Sequence, residues 1–231
     1  MTVLTKKTAI ITGASNGIGK GIAKALAKEG ANVVLAARNE EKLAVLANEL
    51  KEAGNMNYLV VPSDVSNSKD VRLLVEKANE TFGRVDIYIN NAGAMLSAAV
   101  TDGKVDEWDQ MIDVNIKGVL YGVHEVLPQM TKRGDGHIVN LSSVSGHEMA
   151  KGSTVYSATK YAVRAISMGL EKELARTGVR VTNISPGMVN TRDRDHANRK
   201  PLETYDIANA VVYALSQPDY VNVNEITVRP V

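Results

Sequence analysis

Short segments rich in valine and isoleucine alternate along this chain with stretches of helical periodicity, and this alternation is the strongest constraint on its fold. Each apolar segment ends in Gly, Pro, Asn, Asp or Ser, as buried strands do where they enter a loop. The six predicted strands are TAIITG, ANVVLAA, YLVVPSD, VDIYINNAG, GHIVNLSS and VRVTNISPG. The predicted helices between them are Gly17–Lys28, Glu40–Ala53, Ser68–Thr81, Val105–Met130 and Val155–Arg176. A last helix, Tyr205–Ser216, precedes a short terminal strand, NEITVRP.

This order of elements predicts parallel strands joined by right-handed helical crossovers. The strands are apolar throughout because both faces of such a sheet are buried. We therefore predict an α/β fold: a doubly wound, Rossmann-type parallel sheet with helices on both faces. Ligands of such sheets bind beyond the carboxyl ends of the strands, which is where the polar ends of the predicted strands collect.

The length of 231 residues suits one large α/β domain, and no repeat, low-complexity tract or Pro-rich linker divides it. We predict a single dinucleotide-binding domain over residues 1–231. The only long polar stretch late in the chain, 190–204, is predicted to be a surface loop, and the substrate loop as a whole is placed at about 188–204.

Composition excludes several functional classes. The absence of cysteine excludes disulfides and thiolate zinc sites, and the four histidines show no close ligand spacing, so no metal site is expected. A formal net charge of +1 gives no reason to expect nucleic acid or an anionic membrane as partner. The chain reaches a glycine-rich turn too early for a signal peptide and has no apolar run of membrane-spanning length, so a cytoplasmic location is expected.

The glycine-rich turn TGASNGIG follows the first predicted strand and opens the first predicted helix. In that context the backbone amides and the helix dipole can hold a pyrophosphate, and the glycines allow the chain to approach it closely. A glycine-rich turn alone is a weak signal, but the strand before it and the helix after it make it a strong one. The predicted cofactor-binding residues of this turn are Gly13, Ser15, Asn16, Gly17, Ile18 and Gly19.

The end of the second strand predicts which dinucleotide binds. An NAD site usually has a carboxylate there for the ribose 2′-hydroxyl, whereas this chain has Ala37 followed by Arg38. A guanidinium at this place suits a 2′-phosphate, so NADP(H) is predicted as cofactor. Asn39 and Ser15 are weaker candidates for the same phosphate. In the alternative, Arg38 is a solvated surface residue and the neighbouring Glu40 or Glu41 takes the ribose.

Two further strand ends have both a functional and a structural interpretation. Asp64 can accept a hydrogen bond from the adenine amine or can cap the next helix without any ligand. The run Asn90–Gly93, with two amides and a glycine, allows close approach to a ribose but also serves a plain turn.

A possible acid–base group is formed by Tyr156 and Lys160, which are four residues apart in a predicted helix and so share one face. A neighbouring ammonium favours the phenolate and brings proton exchange within range of neutral pH. The same spacing also occurs by chance in amphipathic helices. Ser143 ends the strand before this helix and can polarise a substrate oxygen, whereas Ser142 is expected to point to the other side. Asn115 lies within a predicted helix, for either a structural or a catalytic reason.

In these residues the chain resembles the short-chain dehydrogenase/reductase family in its common single-domain form. The resemblance runs from Thr12 to about Ala214. TGASNGIG, Asp64, NNAG, Asn115, Ser143, YSATK and SPGMVNT occur in the family's order and spacing. The ending ALSQPDYVNVNEITVRPV lacks the Gly-Gly found in many members and is similar to the branch with serine 3-dehydrogenase-like and 3-hydroxy acid dehydrogenases.

The resemblance implies roles for individual residues. Tyr156 would be the general acid/base, Lys160 would bind the nicotinamide ribose and lower the tyrosine pKa, Ser143 would orient the substrate carbonyl, and Asn115 would position a water. The implied cofactor contacts beyond the glycine-rich turn are Arg38, Asn39, Asp64, Val65, Asn91, Ala92, Gly93, Tyr156, Lys160, Pro186, Gly187, Val189 and Thr191.

The substrate pocket departs from the family's pattern. Only about fifteen residues separate Thr191 from Asp206, so the lid is either truncated or incomplete in this sequence, and the pocket is expected to be open. Residues expected to border the pocket are Gly146, His147, Glu148, Met149, Met188, Ala94 and Met95. Arg192 and Arg194 can reach a substrate carboxylate from the lid, although the run TRDRD favours solvation or pairing with the neighbouring aspartates.

These observations lead to a predicted function: an NADP(H)-dependent oxidoreductase that transfers a hydride to or from a small carbonyl or alcohol, of ketone, aldehyde or 3-hydroxy acid type. The alternatives are a non-catalytic NADP-binding module that senses redox state or regulates a partner, and an enzyme that uses the cofactor for epimerisation or dehydration. The long helices Val105–Met130 and Val155–Arg176 resemble the pair that forms the family's dimer interface, so a homodimer or homotetramer is expected.

Overall fold

The computed structural model describes residues 4–96, 99–191 and 200–231. Seven parallel strands form one sheet in the order β3-β2-β1-β4-β5-β6-β7. Their bounds are β1 Thr8–Thr12, β2 Asn32–Ala37, β3 Tyr58–Pro62, β4 Ile87–Asn90, β5 Gly136–Leu141, β6 Val179–Pro186 and β7 Glu225–Val228. The predicted doubly wound parallel sheet is confirmed.

Seven α-helices connect or follow these strands in the described part of the chain. They are α1 Gly17–Lys28, α2 Glu40–Glu52, α3 Ser68–Phe82, α4 Val105–Ile112, α5 Gly118–Arg133, α6 Thr154–Glu173 and α7 Thr204–Leu215. Short 3₁₀ turns lie at Val100–Asp102 and Val144–Gly146. None of these helices combines the length and the apolar composition needed to cross a bilayer.

The core has two layers because successive strand residues point to opposite faces of the sheet. Ile11 and Leu35 pack on one face under α1, α2 and α7, whereas their neighbours Ile10 and Val34 pack on the other face under α3, α5 and α6. Both clusters are fully apolar and buried, which explains why the strand sequences do not alternate between polar and apolar residues.

The segment predicted as one helix over Val105–Met130 contains a π-helical turn, Asp113–Lys117, between α4 and α5. The Gly118 amide donates to the Asp113 carbonyl five residues back, as in a π-helix. Hydrophobic periodicity does not reveal this turn because a single wide turn hardly changes which face of the helix is apolar. The turn places Asn115 in the interior, 1% exposed.

The strand order reverses between β1 and β4, the central pair of the sheet. The loops that follow these two strands diverge to opposite faces, which leaves a crevice at the carboxyl edge. The sheet topology therefore fixes where a ligand of this protein has room to bind.

Candidate functional site

A cleft of about 1290 Å³ lies beyond the carboxyl ends of the strands at this crevice. All residues predicted to contact a cofactor line it: Gly13, Ser15, Asn16, Gly17, Ile18, Gly19, Arg38, Asn39, Asp64, Val65, Asn91, Ala92, Gly93, Tyr156, Lys160, Pro186, Gly187, Val189 and Thr191. Ser143 lines it as well. The structure thus brings into one cavity residues that are separated by almost 180 positions in the chain.

The glycine-rich turn packs closely against the chain after β4 and leaves free amides at the start of α1. A Cβ atom on Gly13 would lie 2.9 Å from the Ala92 Cα, and one on Gly19 would overlap the Gly13 carbonyl oxygen. The N-cap residue Asn16 makes no side-chain hydrogen bond to the helix, and the first turn holds no acidic residue. The amides at this helix end are therefore available to an anion in the cleft.

Thr12 joins the loops that follow β1 and β4. Its hydroxyl donates to the Ile89 carbonyl (3.0 Å) and accepts from the amides of Asn91 (3.0 Å) and Ala92 (3.1 Å). The Asn91 side chain in turn donates to the Thr12 carbonyl oxygen at 2.7 Å. Thr12 and Asn91 therefore have structural partners of their own, and they keep the two walls of the crevice at a fixed separation.

At the β2 end of the cleft, Arg38 and Asn39 are joined by Lys42, a lining residue that the sequence analysis did not include. The Asn39 side chain caps α2 by accepting from the Lys42 amide at 2.8 Å. This cap starts the helix, and Lys42 in its first turn lines the cleft beside Arg38, which precedes the cap. The basic residue in the first turn after Arg38 is the signal that could have indicated Lys42. Glu40 and Glu41 are not among the lining residues.

Asp64 lines the cleft but does not cap α3, so that structural alternative was wrong. The N-cap is Asn67, whose side chain accepts from the Lys69 amide. Asp64 instead closes a local turn, accepting from the amide (2.9 Å) and hydroxyl (2.7 Å) of Ser66. Asn67 was the better candidate because it immediately precedes the first helical residue.

At the other end of the cleft, Tyr156 and Lys160 lie one turn apart near the start of α6, and Ser143 lies at the end of β5. The Tyr156 phenol is hydrogen bonded to the Ser143 hydroxyl. The Lys160 ammonium lies 5.9 Å from the centre of the Tyr156 ring and donates to the Leu141 carbonyl at 2.8 Å. Ser142 is buried and donates to the Lys160 carbonyl, so the two adjacent serines contact α6 at different points.

Burial controls the proton affinity of this group. It raises the pKa of Tyr156, an effect that the hydrogen bond with Ser143 only partly offsets. It also lowers the pKa of Lys160 to about 8. The direction at Tyr156 differs from the expected lowering by Lys160, because the lysine directs its ammonium at a backbone carbonyl and the phenol is itself largely removed from water.

Asn115 lies behind the cleft wall, and it is not itself a lining residue. Its Oδ1 accepts from the Ala94 amide at 2.8 Å, and its Nδ2 donates to the Ala94 carbonyl at 2.9 Å and to the Thr159 hydroxyl at 3.0 Å. A Cβ on Gly93 would lie 3.5 Å from the Asn115 Oδ1 and 3.7 Å from the Lys160 Nζ. The π-helical turn thus holds the chain after β4 against Lys160.

Part of the expected substrate pocket is elsewhere. Gly146, His147, Glu148 and Met149 do not line the cleft; the lining residues after Ser143 are Val144 and Ser145. The His147 ring contacts Ser185 and Glu225, both at 3.1 Å. Glu148 pairs with Arg229, and Met149 is 69% exposed. The 3₁₀ turn at Val144 redirects the chain away from the cleft, which composition alone does not indicate.

The opposite wall agrees better with expectation, since Ala94, Met95 and Met188 all line the cleft. The two ends of the 188–204 loop are paired: the Leu202 amide donates to Met188, and the Asn190 amide donates to Leu202. Arg192 and Arg194 lie outside the described residues. Within the described ranges, no group of three or more histidine, aspartate or glutamate side chains is arranged to hold a metal ion.

Comparison with known proteins agrees with this geometry. The chain matches the short chain dehydrogenase family over residues 7–201. An uncharacterized oxidoreductase of Staphylococcus aureus is 57% identical over 234 positions that cover 100% of both chains. Since 234 is three more than the 231 residues of this chain, that relative lengthens the segment after Thr191 by at most about three residues. The short segment between Thr191 and Asp206 is therefore shared with it.

Solved structures extend the similarity to the fold. An alcohol dehydrogenase from the archaeon Thermococcus sibiricus, complexed with 5-hydroxy-NADP, matches with a TM-score of 0.91 and 31% identity, covering 97% of each chain. The closed form of a serine dehydrogenase complexed with NADP⁺ also gives 0.91, with 32% identity over 96% of this chain and 94% of that one. The fold, the cleft and these similarities together show that this chain belongs to the short-chain dehydrogenase/reductase family.

Proposed function

We propose that this protein is an NADP(H)-dependent oxidoreductase that transfers a hydride between the nicotinamide cofactor and a small carbonyl or alcohol substrate. The observation that carries the proposal is the placement of Ser143, Tyr156 and Lys160 in the same cleft as Arg38 and Lys42. Ser143 follows β5, with Tyr156 and Lys160 on α6, whereas Arg38 follows β2, with Lys42 in the first turn of α2. The strands β2 and β5 are three positions apart in the sheet, or roughly 14 Å.

The cleft fits a dinucleotide in its shape and in its donor groups. The amides at the start of α1 suit a pyrophosphate, and Arg38 with Lys42 suits a 2′-phosphate. Asp64 and Val65 would border the adenine, and Asn91, Ala92 and Gly93 a ribose. The residues that would hold the nicotinamide are Pro186, Gly187, Val189 and Thr191. The bound NADP-type molecules named for the two similar structures support this choice of cofactor.

The cofactor supplies or accepts the hydride, and the protein handles the proton. In reduction, the Ser143 hydroxyl donates a hydrogen bond to the substrate oxygen and the Tyr156 phenol gives that oxygen its proton. In oxidation, Tyr156 takes the proton back. Lys160 holds the ribose hydroxyls and stabilises the phenolate, and Asn115 fixes the wall that faces both residues.

At neutral pH the Tyr156 phenol is protonated, and burial raises its pKa further. A phenol whose pKa is raised stays protonated, and the protonated form is the one that reduction needs. Oxidation needs the phenolate, so its rate is expected to increase with pH. Met95, Leu96 and Met188 line the same cleft as Ser143, and this apolar part of its wall suits a partly apolar substrate.

The test is consumption of NADPH and NADH with a panel of small ketones, aldehydes and 3-oxo acids. Tyr156→Phe is expected to lower kcat by about 10²-fold or more, the contribution of a general acid, while NADPH affinity is retained. Tyr161→Phe is a matched control, because Tyr161 is the next tyrosine of α6 and is 38% exposed. Tight NADPH binding by wild type without turnover on the panel would instead support the non-catalytic, regulatory function.

Cofactor choice is tested separately at the β2 end of the cleft. Arg38→Asp is expected to shift the ratio of kcat/KM for NADPH over NADH toward NADH by about 10- to 100-fold, since a charge-assisted hydrogen bond is lost and a repelling carboxylate is added. Lys42→Ala is expected to act in the same direction but less strongly. Lys51→Ala, at the far end of α2, is the control. An unchanged ratio in Arg38→Asp would show that the 2′-phosphate is held elsewhere.

A further inference from the structure

The hydroxyl of Thr159 lies between α6, which carries Tyr156 and Lys160, and the π-helical turn, which carries Asn115. Thr159 is on α6, between Tyr156 and Lys160 in the chain, and is 2% exposed. Its hydroxyl donates to the Tyr156 carbonyl at 2.7 Å and accepts from the Asn115 Nδ2 at 3.0 Å. A single buried oxygen therefore connects the helix that carries the acid–base pair to the π-helical turn.

The direction of every hydrogen bond in this group is determined. The Ala94 amide can only donate, so the Asn115 atom that it contacts at 2.8 Å must be the oxygen Oδ1. The other side-chain atom is then the NH₂ group, with one proton for the Ala94 carbonyl and one for Thr159. Since the Asn115 nitrogen donates to Thr159, the threonine proton must go to the Tyr156 carbonyl.

This arrangement uses both protons of the Asn115 amide and holds its plane at two points. Ala94 fixes one edge by two hydrogen bonds, and Thr159 fixes the remaining proton. Ala94 lines the cleft, and it follows Gly93, which packs close to the Lys160 ammonium. Without the threonine oxygen, one buried N–H of Asn115 has no acceptor and only the two bonds to Ala94 hold the amide plane. The cost of that unpaired N–H falls on the contact with Ala94, which is then expected to loosen.

We infer that Thr159 is a positioning residue, which orients the Asn115 amide. Through that amide it keeps Ala94, a residue that lines the cleft, in a fixed position relative to Tyr156 and Lys160. The inference rests on the proposed function for its consequence in catalysis, but the hydrogen-bond geometry stands without it. Neither the YSATK motif nor the residue's helical position indicates this role, since a threonine in a helix commonly bonds to its own backbone.

The experiment compares Thr159→Val, which has nearly the same shape and no hydroxyl, with Thr159→Ser, which keeps the hydroxyl. Thr159→Val is expected to lower kcat by about 10- to 100-fold, as small misplacements of a catalytic group do, with little change in NADPH affinity. Thr159→Ser should restore most of the loss. Thr182→Val is the matched control, because Thr182 is fully buried and its hydroxyl bonds only to the His137 ring in the described structure.

A second readout does not depend on turnover. Hydrogen exchange at the Ala94 amide, followed by NMR, should be faster in Thr159→Val than in wild type, in Thr159→Ser or in Thr182→Val. If wild type reduces no carbonyl on the panel, the proposed function fails, and Ala94 exchange still decides the role of Thr159. Wild-type exchange at Ala94 in Thr159→Val, or equal losses of kcat in Thr159→Val and Thr182→Val, would overturn the inference.

Discussion

Lys160 is a residue whose position costs folding free energy. It is 6% exposed, and in the described part of the chain no carboxylate pairs with it. Among the residues that the structure describes, its ammonium donates to the Leu141 carbonyl. Burial of an ammonium without a counter-charge explains the fall of its pKa to about 8. Side chains are retained in such places where their chemistry is needed, as proposed here for the phenolate of Tyr156.

We predict that Lys160→Met raises stability while abolishing turnover. Below pH 8 the folded wild type holds a buried ammonium, and replacing it by a side chain of similar length is expected to gain about 1–3 kcal/mol in the free energy of unfolding. Between the folded pKa of about 8 and the ordinary value of 10.5, the unfolded chain binds more protons. Wild-type stability therefore increases with pH over this range, and the advantage of the variant decreases.

Urea unfolding at pH 7 and at pH 9.5 measures both parts of this prediction. The control is Lys172→Met, near the end of the same helix, where the side chain is solvated and little change is expected at either pH. A Lys160→Met variant that is less stable than wild type at pH 7 would show that the hydrogen bond to Leu141 outweighs the cost of burying the charge.

At the scale of elements, the approach of α5 to the sheet depends on Gly122. A Cβ at this position would overlap the ring of Tyr88, whose side chain is fully buried in β4. We predict that Gly122→Ala destabilises the protein by about 1–3 kcal/mol although alanine favours helix, because overpacking forces α5 away from the sheet. Gly169→Ala in α6 is the control: within the described residues its added Cβ would meet no atom within 4 Å beyond its own helical turn, and a gain of about 0.5–1 kcal/mol is expected. Thermal unfolding of both variants distinguishes the two effects.

Helices and strands with a strong hydrophobic periodicity, or with turn residues at their ends, could be predicted from the sequence. Features that depend on tertiary contacts could not. The bounds of α1 agree exactly in both residues, Gly17 and Lys28, because a glycine-rich turn and an apolar face mark them. The π-helical turn was not predicted, since it is associated with a tertiary contact, that of Asn115 with Ala94, 21 positions away. His147 was placed at the pocket by proximity to Ser143, but its ring pairs with Glu225 on β7, which no local pattern reveals.

At the scale of the whole molecule, the two edges of the sheet have different chemistry. The amino-terminal edge holds an ion network in which Arg84 contacts Asp86 and Asp135, and Lys7 contacts the same two carboxylates. Asp86 is buried and also accepts from the Thr8 amide at 2.8 Å, so the starts of β1 and β4 are tied together. The carboxyl edge instead has an open cleft between the same two strands.

The remaining whole-molecule prediction concerns assembly. Five large apolar side chains are exposed on the helices α4, α5 and α6: Val105, Ile112, Leu120, Tyr161 and Met168. Surface of this kind on adjoining helices is typical of an interface. We expect a homodimer or homotetramer, which light scattering at micromolar concentration would detect as two or four times the mass of one chain.

Leu120→Asp tests which surface is responsible. A carboxylate at this exposed position of α5 would have to be desolvated in the interface, so the variant is expected to dissociate to a smaller species while keeping its helical circular dichroism. Leu73→Asp on α3 is the matched control, since Leu73 is similarly exposed at 47% but lies on a different helix. A wild-type protein that is only monomeric contradicts the expectation altogether. If Leu73→Asp dissociates and Leu120→Asp does not, the wild type is still an oligomer, but its interface lies on α3 and not on α5.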